Sequence, residues 1–99
     1  MHARMTTLEG STDRMDEGVR EVREHVLPQL QQQEGYKGFL ALGDRQSGKT
    51  LGITFWESEE ALRASEEAAN QLREESAEAS GEQVAGVERY EVGLFELES

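Results

Sequence analysis

An α+β fold is predicted for this 99-residue chain: a four-stranded antiparallel sheet with two helices on one of its faces. Three observations carry that prediction. Apolar residues alternate in four short stretches and recur at helical spacing in two longer ones. The order of these stretches is strand, helix, strand, strand, helix, strand, the split βαβ or ferredoxin-like arrangement. Each boundary falls on glycine, serine, aspartate or another turn former.

The first strand is Ala3 to Leu8, with Ala3, Met5 and Thr7 alternating against Arg4 and Thr6. Gly10 to Thr12 makes a turn, and Asp13 or Asp16 is expected to cap the first helix. Met15, Val19, Val22, Val26 and Leu30 then follow every three or four residues as one apolar stripe. Pro28 lies within that stripe and should kink the last turn, and Gly35 supplies the stop. Tyr36 to Gly43 and Thr50 to Trp56 read as a hairpin joined by the polar turn Asp44 to Lys49. Leu51, Ile53 and Phe55 share one face of its second strand, and Gly52, Thr54 and Trp56 the other.

Ser58 is expected to cap a second helix running to about Ser80, with Glu59 and Glu60 in its first turn favouring the helix dipole. The inward stripe of this helix is built of small residues, Ser65 and Ala69 beside Leu62 and Leu72, continuing to Ser76 and Ala79. Such a stripe lets a helix lie close to a sheet and leaves room for a cavity. The last strand is expected over Val87 to Leu97, with Tyr90, Val92 and Leu94 facing opposite to Arg89, Glu91, Gly93, Phe95 and Leu97. Residues 1–99 are thus expected to form one domain.

Both faces of the predicted sheet are apolar, since Leu40 and Leu42 oppose Phe39 and Ala41, and Phe55 opposes Trp56. Two helices cover one face only, so a second copy of the chain is the expected cover for the other.

Composition narrows the partners. The chain has 21 acids against 10 bases, a net charge of −11. Its residues 57–82 are the most acidic part. Such a surface repels phosphate backbones, so neither nucleic acid nor an anionic membrane is an expected partner. No run is long and apolar enough to span a bilayer, and Met1 to Gly10 lacks the apolar core of a signal peptide, so the expected address is cytoplasmic. The absence of cysteine excludes a thiol nucleophile, a disulfide scaffold and cysteine-ligated zinc. His2 and His25 lack metal-ligand spacing, and no metal site is expected.

Gly43 to Thr50 satisfies the phosphate-loop pattern GxxxxGK[ST]. That motif works by opening a helix whose amides cradle phosphates. Here it opens Leu51 to Trp56, an alternating run of β-branched and aromatic residues. No aspartate occurs after Asp44 to bind magnesium. The segment is therefore expected to be a hairpin turn.

Several passages resemble the antibiotic biosynthesis monooxygenase-like domains. Val26-Leu27-Pro28-Gln29-Leu30 with Gly35-Tyr36-Lys37-Gly38-Phe39 is similar to their "V-x-P-x-L … G-F/Y-x-G" passage. Asp44 through Gly48 with Trp56-Glu57-Ser58-Glu59-Glu60-Ala61 is similar to "D-x-x-x-G … W-x-S-x-E-A", and Glu88 to Val92 to the closing strand. The resemblance implies a dimeric α+β barrel with a ligand cavity between sheet and helices. The activities it implies are cofactor-free oxygenation of phenolic compounds, quinol oxidation and haem degradation. The haem degraders use a helix histidine and a first-strand asparagine, where this chain has Ala64-Ser65-Glu66 and Arg4 and Thr6.

The expectation is thus a cofactor-independent, monooxygenase-like homodimer acting on a small phenolic or quinol-like compound. The alternative is a non-catalytic binding or structural dimer. The pocket candidates are Arg4 for an oxyanion, Tyr36 and Tyr90 for hydrogen bonding, Trp56 as a wall and Ser65 as a lining residue. For Trp56 the preferred reading is a core aromatic whose indole N–H finds a carbonyl, and for Arg4 and Arg89 pairing with Glu88 or Glu91 across the sheet is preferred over catalysis.

Overall fold

The computed structural model describes residues 1–98, apart from the side chains of Ser76, Ala79 and Ser80, so the expectations for the inner stripe at Ser76 and Ala79 lie outside the described residues. Strand β1 (His2–Glu9) is followed by a 3₁₀ turn and helix α1 (Met15–Glu21). The helix passes through a π-helical stretch, Val22–Val26, into α2 (Leu27–Leu30). Strands β2 (Tyr36–Asp44) and β3 (Lys49–Trp56) form the hairpin. Helices α3 (Glu59–Ala64) and α4 (Glu66–Ser80) lead to β4 (Gln83–Glu91).

The sheet is antiparallel with strand order β2-β3-β1-β4. Register places Arg4 between Thr54 of β3 and Arg89 of β4, and Ala3 between Phe55 and Tyr90. Alternation then sorts the strands into a helix-covered face, bearing Arg4, Thr54, Trp56 and Arg89, and an open face, bearing Ala3, Ile53, Phe55 and Tyr90. The core lies on the covered face, where Leu30, Trp56, Leu62 and Leu72 pack together.

The π-helical stretch has a local cause. Pro28 has no N–H to give the carbonyl four residues back, so the helix loses one rung and takes a wider turn before it. Val19 is 44% exposed, while Gly18 is buried. The apolar stripe is therefore rotated slightly from its predicted line. Neither Asp13 nor Asp16 caps a helix; the residue at that cap of α1 is Arg14, with no side-chain bond. Ser58 does cap α3, its Oγ accepting from Ala61 N at 3.1 Å.

The predicted second helix is broken at Ser65. Its backbone (φ −87°, ψ −5°) leaves α-helical geometry, and its N–H is shared between the carbonyls of Ala61 and Leu62, each 3.2 Å away. The final strand ends at Glu91 rather than Leu97: Glu91 pairs with His2, and a single further bond, from Val92 N to Met1 O at 2.9 Å, exhausts the first strand's chain as a partner. The chain then turns, and Phe95 meets Phe55 edge-on at 5.2 Å on the open face, opposite to its predicted side.

The phosphate-loop look-alike is the β2–β3 turn, as its strand-like sequel requires. Gly48 adopts φ +80°, and a Cβ there would lie 2.0 Å from the Gly10 carbonyl oxygen. Gly10 N donates to Gly48 O at 3.1 Å, tying this turn to the loop after β1. Gly35 ends the loop after α2 at φ +83°, where a Cβ would meet Ala61 at 2.5 Å.

Candidate functional site

The site grows from one residue, Arg4, placed by alternation on the covered face in mid-sheet. Its register neighbour on β4 is Arg89. Two guanidiniums side by side on one sheet face repel, so an acid must lie between them. Glu66, the first residue of α4, supplies it. Arg4 Nη2 lies 3.2 Å from Glu66 Oε1, and Arg89 engages both carboxylate oxygens, with Nη2 2.7 Å from Oε2. The arginines thus share a helix carboxylate, not Glu88 or Glu91 as expected from the sheet alone. Hydrogen bonding from Arg89, aided by Arg4, holds the Glu66 carboxyl down at about 2.

The break at Ser65 also serves Arg4. The Leu62 carbonyl accepts from Arg4 Nη2 at 2.8 Å and from Ser65 Oγ at 2.7 Å. Arg4 Nη2 donates to Ser65 Oγ as well, at 2.8 Å. Arg4 is 2% exposed, and its guanidinium lies 5.7 Å from the centre of the Trp56 ring. Burial lowers its pKa, and Glu66 opposes that shift. Trp56 has no exposed surface and donates Nε1–H to Thr54 Oγ1 at 2.9 Å, so a threonine hydroxyl takes the place of the expected carbonyl. Tyr36 meets Trp56 edge-on at 5.9 Å, and burial raises its pKa.

Arg4, Ser65, Trp56 and Tyr36 are therefore brought together, in one line from helix break to sheet end. Tyr90 is not. It is 51% exposed on the open face, and its hydroxyl donates to Glu88.

Beside Arg4 a cavity of about 90 Å³ lies between sheet and helices. Its apolar walls include Val22, Val26, Leu30, Phe39 and Leu72, and its polar lining is Arg4, Thr6, Thr54 and Arg73. A second space of about 200 Å³ adjoins it, sharing Leu8, Val22, Phe39 and Gly52. Of the five residues singled out from sequence, Arg4 lines the first cavity. Trp56 sits against Arg4 within the core instead of forming a wall. Thr6 and Thr54 were readable by alternation with Arg4 and Trp56, and Arg73 by its place one helical turn after Ala69. Neither histidine lines these spaces: His25 pairs with Glu21 on an exposed flank, and His2 is near Glu59 at the sheet end.

This architecture recurs in solved structures. A Deinococcus radiodurans protein provisionally named an antibiotic biosynthesis monooxygenase superimposes with a TM-score of 0.70, at 19% identity, over 100% of this chain and 99% of its own. The chain has the antibiotic biosynthesis monooxygenase-like fold. The monooxygenase ActVA-Orf6 of Streptomyces coelicolor, in complex with Nanaomycin D, shares this monooxygenase-like fold at a TM-score of 0.73 and 15% identity, over 99% of this chain and 92% of its own. The haem degrader MhuD of Mycobacterium tuberculosis, with two haems bound, does so at 0.65 and 20%, over 96% and 98%. No family model matches the sequence.

In sequence, the chain is 38% identical over 95 residues to the uncharacterised protein Rv2557 of Mycobacterium tuberculosis, covering 96% of this chain and 42% of that protein. It is 40% identical over 77 residues to Rv2558 of the same organism, covering 78% and 33%. The chain spans less than half the length of these curated relatives. No helix among the described residues is long and apolar enough to cross a membrane.

Proposed function

We propose that this chain is a single-domain, cytoplasmic homodimer that takes a small aromatic compound, phenolic or quinol-like, into the cleft beside Arg4 and oxygenates it without a cofactor. The observation that carries the reading is an apolar cleft whose deepest polar group is a buried guanidinium. An electron-rich anion formed from a phenol is what dioxygen attacks, and a fixed cation in a dry site stabilises such an anion. The bound Nanaomycin D of ActVA-Orf6, on the same fold, supports an aromatic occupant. The apolar open face, with Leu40 43% and Leu42 47% exposed, supports the second copy.

One observation favours the alternative, a non-catalytic binding dimer. The described lining of the cleft holds arginines and threonines but no carboxylate or histidine to take the phenolic proton. The test is turnover of a panel of phenols and quinols under oxygen, read by product mass. Ala69→Leu, which fills the cleft, is expected to abolish turnover and binding together. Binding without turnover selects the alternative, and neither binding nor turnover removes the cleft from consideration.

A further inference from the structure

We propose that the cleft's ligand carries a carboxylate, and that Arg4 and Arg73 receive it. This rests on the reading of the cleft as the ligand site and adds the charge class of what enters it.

The first ground is unmade hydrogen bonds. Arg4 spends one nitrogen, Nη2, on Leu62, Ser65 and Glu66. Its Nε and Nη1 are buried without a partner among the described residues, and so is Nη2 of Arg73. Both side chains line the same cavity. A buried donor left unpaired is costly, and more so when it is charged. Free donors of two arginines at one cavity form a receiving site for an acceptor that the chain itself does not supply.

The second ground is the local charge. Three guanidiniums, Arg4, Arg73 and Arg89, gather around Glu66, whose carboxylate is already clamped. Glu74 is the other acid whose charge reaches Arg73. One positive charge is left in excess, in a chain whose total is −11. Burial first, and then the neighbouring Arg4 charge, push the Arg73 pKa down, while Glu66 and Glu74 oppose the shift. A monoanion balances this excess, whereas a phosphate dianion overshoots it. A planar carboxylate also matches the planar guanidinium fork. Apart from Thr6 and Thr54 the remaining side chains lining the cavity are aliphatic or aromatic, so the body of the ligand is largely apolar. The ligand class is an aromatic carboxylic acid bound as its anion.

The experiment is calorimetric titration of the full chain at neutral pH with 2-naphthoate and with 2-naphthamide, its neutral isostere. The acid is expected to bind at least about tenfold more tightly than the amide, as for a charge-assisted pair. Arg73→Met should erase that preference while leaving amide binding in place, with circular dichroism showing that the variant is folded. Arg73→Lys, which keeps the charge but loses the fork, should restore part of it. Equal binding of acid and amide, or a preference that survives Arg73→Met, overturns the carboxylate site and leaves the cleft intact. Failure of both probes to bind overturns the carboxylate site and the cleft reading with it.

Discussion

The two faces of the sheet are made by the same four strands, yet they solve opposite problems. The covered face holds the only fully buried large side chain among the described residues, Trp56, and beside it a buried cation whose charge is answered by a helix. Among the described residues the open face holds no such cluster. It is apolar and shown to solvent through Leu40, Leu42 and Tyr90, with Phe95 folded back over Phe55. Alternation assigns each residue to one problem or the other, so a single strand serves both. The covered face is specified by polar geometry within the chain, and the open face by apolar area that is left exposed.

The largest effect is expected from the open face. Leu40→Glu combined with Leu42→Glu should weaken self-association by at least about a hundredfold, since two charges enter an apolar interface. Light scattering at micromolar concentration should read a dimer for the native chain and a monomer for the variant. A native monomer would refute the second copy as the cover.

Next in size is the charge cluster of the covered face. Glu66→Gln leaves Arg4 and Arg89 side by side without their carboxylate, and should cost about 2 kcal/mol in denaturant titration. The pH dependence follows from the depressed carboxyl. Held at about 2 against an ordinary 4.5, Glu66 contributes stability that is fully present above the ordinary value. That contribution is lost as pH falls from about 4.5 towards 2. The Gln variant should lose this part of the acid slope, and an unchanged slope would show that Glu66 does not carry it.

The smallest effect isolates a local term on the same face. Ser58→Ala removes the cap on Ala61 N and should cost about 1 kcal/mol, independent of pH in the acid range. A cost equal to that of Glu66→Gln would mean that the charge cluster adds nothing beyond an ordinary hydrogen bond.

Period-two alternation made the covered and open faces of β3 legible, down to Trp56 opposing Phe55. The cap at Ser58 and the hairpin after Asp44 were legible for the same reason, that their chemistry is local. What could not be read depends on register between elements distant in sequence. Nothing local tells β4 that its pairing with β1 runs out at His2, so neither its stop at Glu91 nor the side on which Phe95 falls is legible in the sequence. The break at Ser65 has neither proline nor glycine to announce it. Its cause is the set of bonds that Leu62 O and Ser65 Oγ make to Arg4, some sixty residues away in sequence. Tyr90 falls on the face opposite to Arg4: alternation sorts residues only within a strand, and the pairing of Ala3 with Tyr90 shows only in the assembled sheet.

The burial of Arg4 has a consequence for how the chain assembles. A guanidinium on the first strand leaves water at least cost once Trp56 is beside it and Leu62, Ser65 and Glu66 have arrived to accept its hydrogen bonds. Glu66 in turn is held by Arg89, near the opposite end of the chain. A half-built sheet would strand a naked cation in an apolar layer, which is costly enough to depopulate such intermediates. The buried arginine therefore acts as a cooperativity latch, requiring both ends of the chain to close together in an all-or-none transition.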